Sequence, residues 1–194
     1  MKIFAEKKGI THYYDDKGKQ NVASVFVIKK TIVGKIQKIN DVGVNHYILD
    51  SEKTKTNKAI MGNYQGVTGV KMIETDHDSK IKEKSALSIK DFNEGEKLSI
   101  TARGKGKGFA GTIKRFGFKR GPKTHGSRNY RKPGSIGDTG PQRVLKGKKM
   151  PGRMGFRKIT LHNREVVKII SKNSEIWLKG HIPGPKKSIA ILAK

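Results

Sequence analysis

HGSRNYRKPGSIGDTGPQRVLKGKKMPGRMG, residues 125–155, lies at the heart of a stretch unlike the rest of this 194-residue chain. The wider stretch, Thr101 to Lys158, holds 18 Lys or Arg against a single acid, Asp138, so +17 of the chain's net +27 falls within it. It also holds 13 of the 23 glycines and 4 of the 6 prolines. No part of it alternates apolar and polar residues long enough for a strand, and none carries an apolar stripe long enough for a substantial helix. A connection this long is not expected inside a compact domain unless it is functional or disordered. The fold is therefore sought in the flanks and the function in the middle.

The flanks carry 25 basic and 15 acidic residues and most of the apolar ones, enough for one buried core. Before the basic stretch, strands are expected at Lys2 to Ala5, Asn21 to Ile28, Thr31 to Ile39, Val42 to Leu49, Val70 to Glu74 and Leu98 to Thr101, with a turn at Asp15-Asp16-Lys17-Gly18. Asn57 to Gly66 reads as an irregular or short helical connection and Asp76 to Lys84 as a charged loop, so residues 52–85 form an irregular or helical insertion. After the basic stretch the β pattern resumes at Ile159 to Leu161, Glu165 to Ile170, Glu175 to Leu178 and Ser188 to Leu192, with a turn at Asn173-Ser174. Short strands separated by regular turns predict a mainly β protein built on an antiparallel barrel. Residues 1–101 and 158–194 both contribute to it, so residues 102–157 are an insertion between strands and not a tail.

A net charge of +27 and a pI near 10.3 call for a polyanionic partner. The insertion cannot bury enough apolar surface to offset the about 1–2 kcal/mol per residue that fixing its backbone costs. Its order is expected from a partner that neutralises it. Folded RNA offers phosphates on all sides of a crevice, whereas a membrane surface favours an amphipathic helix, and none is visible. There is no cysteine, which excludes disulfides and thiolate chemistry and suits a reducing compartment. The start lacks the apolar core of a signal peptide and no apolar run of about 18 residues occurs, so a cytoplasmic chain is expected.

Gly106, Gly108 and Gly111 match G-x-G-x-x-G literally, but no acid follows about 20 residues on and no kinase signature accompanies them. They are read instead as points where backbone approaches phosphate, with Lys105, Lys107, Lys114 and Arg115 supplying charge. Phe109, Phe116 and Phe118 could stack on bases, but the favoured reading packs them at the base of the insertion. Tyr130, between Arg128 and the pair Arg131 and Lys132, is the better stacking candidate. His125 could donate to a phosphate or base, or could stabilise its turn. The histidines have no carboxylate or thiol partners at ligand spacing, so no metal site is expected, and no nucleophile–base pair supports catalysis. Asp138, without a second carboxylate, is expected to bond nearby backbone or an arginine. Lys146, Lys148, Lys149 and Arg153, interleaved with glycine, proline, Met150 and Met154, imply a fixed irregular path. Arg120, Lys123, Arg143 and Arg157 complete the set of expected RNA contacts.

GKGFAGTIKR (residues 106–115), Thr124-His125-Gly126-Ser127, Pro133-Gly134-Ser135-Ile136-Gly137 and GKKMPGRMG (residues 147–155) resemble, in order and spacing, the bacterial-type large-subunit ribosomal protein of the universal L-three family. A weaker likeness runs from Lys7-Lys8-Gly9-Ile10-Thr11 to Val166-Val167. The resemblance implies a barrel of the translation-factor type and an extension threading ribosomal RNA toward the peptidyl-transferase centre. The tip would lie at about residues 142–155, with Met150, Arg153 and Met154 nearest the catalytic RNA. It further implies a role in nucleating subunit assembly, with large-subunit RNA and neighbouring ribosomal proteins as partners. No cofactor, membrane or small-molecule substrate is implied, and the protein would be no enzyme. A free RNA-binding protein or RNA chaperone using the same loop is the alternative. Three departures from the family pattern stand out. The Lys-Lys-Gly-Ile-Thr start is one residue short, so a shifted or bulged first strand is expected. Ser99 and Gly104 replace the usual Asp or Asn and Ser or Thr. Arg153 replaces a glutamine that some relatives carry methylated.

Overall fold

The polar run Glu6-Lys7-Lys8-Gly9 does not end the first strand. In the computed structural model, which describes residues 1–33, 37–39, 42–50, 70–76 and 86–194, that strand runs through it. In chain order the strands are β1 (Lys2–Tyr14), β2 (Gln20–Ile28), β3 (Thr31–Val33), β4 (Gln37–Ile39), β5 (Val42–Asp50), β6 (Val70–Asp76), β7 (Ala86–Leu87), β8 (Lys97–Arg103), β9 (Gly106–Ala110), β10 (Gly152–Gly155), β11 (Lys158–Ile170), β12 (Glu175–Lys179) and β13 (Ile189–Ala193). The described helix is short, α1 (Thr112–Phe116). Two compact units result, Met1–Arg103 with Lys158–Lys194, and Gly104–Arg157.

In the first unit, six antiparallel strands close in the order β1-β13-β8-β11-β12-β2. Alternation drives the closure. On β8, Leu98, Ile100 and Ala102 are buried, while Lys97 and Arg103 face water. Phe4, Phe26, Val166, Ile176, Leu178 and Leu192 join them in one core. Each such side chain contributes about 1.5–3 kcal/mol on burial. Leu87, Ile89 and Phe92, on and beside a short 3-10 turn, belong to the same cluster. A second sheet pairs β5 with β3, β4 and β6, and β3 with β7.

The Asp15–Lys19 turn forms as its sequence dictates. The Gly18 N–H donates to the Asp15 carbonyl at 2.8 Å, and Gly18 has φ +71°. The Asp15 carboxylate accepts from the Lys19 N–H at 2.9 Å and from the Asn21 amide at 3.0 Å. The Lys19 contact leads the causes that hold this carboxyl below its ordinary pKa.

Several expectations change in physical detail. The first strand extends to Tyr14 because Lys7 points inward. Its ammonium donates to the carbonyls of Ile182 and Gly184, so a charged side chain only 3% exposed is satisfied. The first strand carries the expected bulge, since its register with β2 shifts between Lys7 and Gly9. Ile159 to Leu161 and Glu165 to Ile170 are one strand. Its register shifts between Leu161 and Arg164, where Asn163 takes a left-handed backbone (φ +55°), and the polar residues there read as a break. Of the expected strand Thr31 to Ile39, Thr31–Val33 (β3) and Gln37–Ile39 (β4) are strand, both paired with β5, and residues 34–36 lie outside the described residues. Within the expected irregular insertion at 52–85, residues 70–76 are strand β6. The connection at 57–66 and the charged loop from residue 77 onward lie outside the described residues.

Lys7→Met keeps the buried stem but leaves two buried carbonyls without their donor. Unfolding in urea is expected to show a loss of about 1–3 kcal/mol. An unchanged midpoint and slope would mean that the ammonium contributes nothing to the barrel.

Candidate nucleic-acid interface

The second unit begins where glycine and lysine alternate. Gly106, Lys107, Gly108, Phe109 and Ala110 form β9, which pairs antiparallel with β10 in the register Gly152↔Ala110, Arg153↔Phe109, Gly155↔Gly106. This corrects the expectation that the insertion holds no strand. The apolar signal was missing because the ribbon's small residues let its backbones approach. At Gly155 (φ +75°) a Cβ would lie 2.2 Å from the Lys105 carbonyl oxygen. Just outside the ribbon, the Phe156 N–H donates to the Lys105 carbonyl at 3.3 Å and the Gly104 N–H to the Arg157 carbonyl at 2.9 Å.

Gly111 precedes α1 and Gly117, in the left-handed conformation, ends it with its N–H on the Ile113 carbonyl. The literal G-x-G-x-x-G therefore does not form a phosphate-binding loop. Gly106 and Gly108 lie inside a strand, and the helix is only one turn long. Arg115, on that turn, donates to the Met150 carbonyl at 2.6 Å and lies 4.9 Å from the Phe116 ring centre. It fastens the outgoing chain to the returning one. Phe116 in turn packs against Phe118, their ring centres 6.4 Å apart.

Between Phe116 and Gly152 there is neither strand nor helix, and turns shape the path. Gly121 and Tyr130 close one loop through an N–H···O bond of 3.0 Å, with the Tyr130 hydroxyl 3.4 Å from Arg120. Lys123 and Arg128 are exposed on that loop. His125 (φ +57°) is exposed at its turn, where the Ser127 N–H reaches the Thr124 carbonyl at 3.4 Å. Arg131, Lys132, Arg143, Lys146, Lys148 and Lys149 follow, all exposed. Lys105, Lys107, Lys114 and Arg157 are likewise exposed near the ribbon. Lys119, which the sequence reading passed over, is exposed in the same setting. Asp138 accepts from the neighbouring Thr139 N–H at 2.8 Å and, among the described residues, pairs with no cation.

Residues 142–155 are not one structural element. Gly152–Gly155 is paired strand, separated from β11 by only Phe156 and Arg157. Arg153 sits on it with its guanidinium 5.1 Å from the Phe156 ring centre, and Met154, at the register shift, is half-buried. Phe109 departs most from expectation. It is 79% exposed, and among the described residues no ring or cation lies against it.

Charge separates the two units. The first neutralises part of its own charge through Lys8–Glu175, Lys29–Glu6, Lys179–Glu165 and Lys194–Glu96. Residues 104–157 carry 16 Lys or Arg and one acid, and among the described residues none of these cations is ion-paired. Among the described residues, too, no three His, Asp or Glu gather to hold a metal, and no helix is long and apolar enough to cross a membrane. A β domain carrying a glycine-rich cationic excursion, with none of its cations ion-paired among the described residues, has the build of the basic proteins of ribonucleoprotein particles.

The sequence matches the ribosomal protein L3 family over residues 3–177, and the chain belongs to that family. It is 34% identical to a large ribosomal subunit protein uL3 of Carboxydothermus hydrogenoformans, over 98% of this chain and 95% of the relative. It is 36% identical to the uL3 proteins of Natranaerobius thermophilus (96% and 93% covered) and Chlorobium limicola (96% and 94%). The family is one of structural ribosomal proteins, not of enzymes.

Two of the positions expected to depart from the family pattern make contacts within their own unit. The Ser99 hydroxyl lies 3.1 Å from His162 Nδ1, and Gly104 joins the ribbon's root through its N–H.

Gly155→Ala is expected to open the ribbon while sparing the barrel. Hydrogen exchange at the Phe156 and Gly104 amides should accelerate, with Ile100 and Leu192 unchanged. Unaltered exchange at both amides would show that the close approach at Gly155 does not hold the ribbon.

Proposed function

We propose that this chain is a structural constituent of the large ribosomal subunit, working in the ribosome in the cytoplasm, and that residues 102–157 bind large-subunit RNA directly. One observation carries the reading: 16 cations lie between two chain ends joined by strand pairing, and among the described residues none has an acidic partner. An exposed cation run of that size repels itself and gains most from a partner with phosphates on several sides. The barrel is read as the translation-factor type, seated among neighbouring ribosomal proteins and RNA. The extension is read as running toward the peptidyl-transferase centre, with Met150, Arg153 and Met154 on the arm that approaches it. Early binding that nucleates subunit assembly suits a domain that presents a long flexible arm to RNA before its path is fixed.

Arg153, in place of the family's methylatable glutamine, would give RNA a permanent cation with a bidentate face. A free RNA-binding protein or chaperone is the runner-up. It differs in one observable, because a subunit component stays with large subunits through a salt wash that strips a chaperone.

If ten cations of the extension meet phosphates, log K for large-subunit RNA falls with log salt at a slope of about −7 to −9. Arg153→Ala should make that slope shallower by about 1, with the barrel's stability unchanged. A native slope near −2 would mean the arm stays solvated, and an identical slope in the variant would remove Arg153 from the contact set.

A further inference from the structure

We propose that Phe109 is a nucleobase-stacking site: an unpaired base of the RNA lies on its ring, and Arg153 holds the adjoining phosphate. The inference rests on the RNA-binding reading above and adds a residue and a ligand chemistry to it. Phe109 is the most exposed large hydrophobic side chain among the described residues, at 79%. A phenyl ring in water forfeits the stabilisation that burial would give it. It is not at a loop tip, where exposure is unremarkable, but within β9, between Gly108 and buried Ala110. The other phenylalanines of its unit are engaged. Phe116 lies against Phe118 and Arg115, and Phe156 against Arg153. Among the described residues no ring or cation covers Phe109.

Its cross-strand partner sharpens the chemistry. Arg153 is directly opposite Phe109, and directly opposed residues on an antiparallel ribbon project from the same face. The guanidinium lies over the Phe156 ring, 5.1 Å from its centre. An uncovered aromatic ring directly across the ribbon from a planar cation matches a nucleotide unit. The ring accepts any base because every base has a π-face, and the guanidinium takes two oxygens of the phosphate. An apolar protein surface would also cover Phe109, but it would have to sit within a unit of 16 cations and one acid. RNA gains from that field, and an apolar surface does not.

The test compares full-length variants binding in vitro-transcribed large-subunit RNA. Phe109→Ala and Phe109→Leu should each weaken binding about tenfold, within the 5- to 150-fold that one base–aromatic stack is worth, with the salt slope unchanged. Because Trp177 is the only tryptophan, Phe109→Trp in a Trp177→Phe background places a single fluorophore at the site. It should keep near-native affinity, and its emission should be quenched when RNA binds. Affinity of the Ala and Leu variants within twofold of native, or unquenched emission from a bound F109W/W177F chain, would overturn the stacking site while leaving a steep native salt slope intact. A shallow slope in the native chain would instead overturn the RNA-binding reading itself. Circular dichroism and thermal melting of each variant check that the barrel is folded, and an exposed side chain predicts no change there for Phe109→Ala.

Discussion

The pairing of β8 with β11 is the constraint on which the rest depends. Lys158 faces Arg103 and Leu161 faces Ile100, so the segment between leaves and returns at adjacent residues of one ladder. Closing a flexible loop of this length costs about 3–4 kcal/mol in (3/2)RT ln n alone. The barrel offsets that cost through buried side chains such as Ile100 and Leu98 on β8 and Val166 on β11. The two ends of the extension are therefore held by the barrel's ladder, whatever charge lies between them.

The barrel neutralises part of its own charge and the extension does not. Lys7, the buried lysine of β1, is bound by two carbonyls, and four further lysines are paired with glutamates. In the extension, Arg115 turns inward to the Met150 carbonyl, and most other cations point to water. This division gives each unit its role. One pairs part of its charge internally, and the other is joined at its root by β9 and β10 and presents most of its cations to solvent.

Most of the barrel was legible in the sequence because alternation survives wherever one face is buried, as in Leu98, Ile100 and Ala102. It failed where a polar residue pointed inward or a bulge broke the period, at Lys7 and at Asn163. The basic extension was legible as charge and glycine, but its ribbon was not. Gly106, Gly108, Gly152 and Gly155 carry no side chain to signal a strand, and their contribution is the absence of a Cβ. Phe109 was misread for a related reason. Its type suggests packing, and only its place in a ribbon without cover shows that the ring faces water. Arg115 was read as one more cation. Its carbonyl partner lies 35 residues away, beyond any local signal.

Hydrogen exchange of the amides of residues 117–151, in the free chain and in purified large subunits, tests most directly whether the barrel supplies the fold and RNA supplies the path. Those amides should exchange rapidly in the free chain and be strongly protected in the subunit, while core amides such as Ile100 and Leu192 are protected in both. Equal protection of residues 117–151 in the two states would show that the extension fixes its own course, and would contradict the division of labour described above.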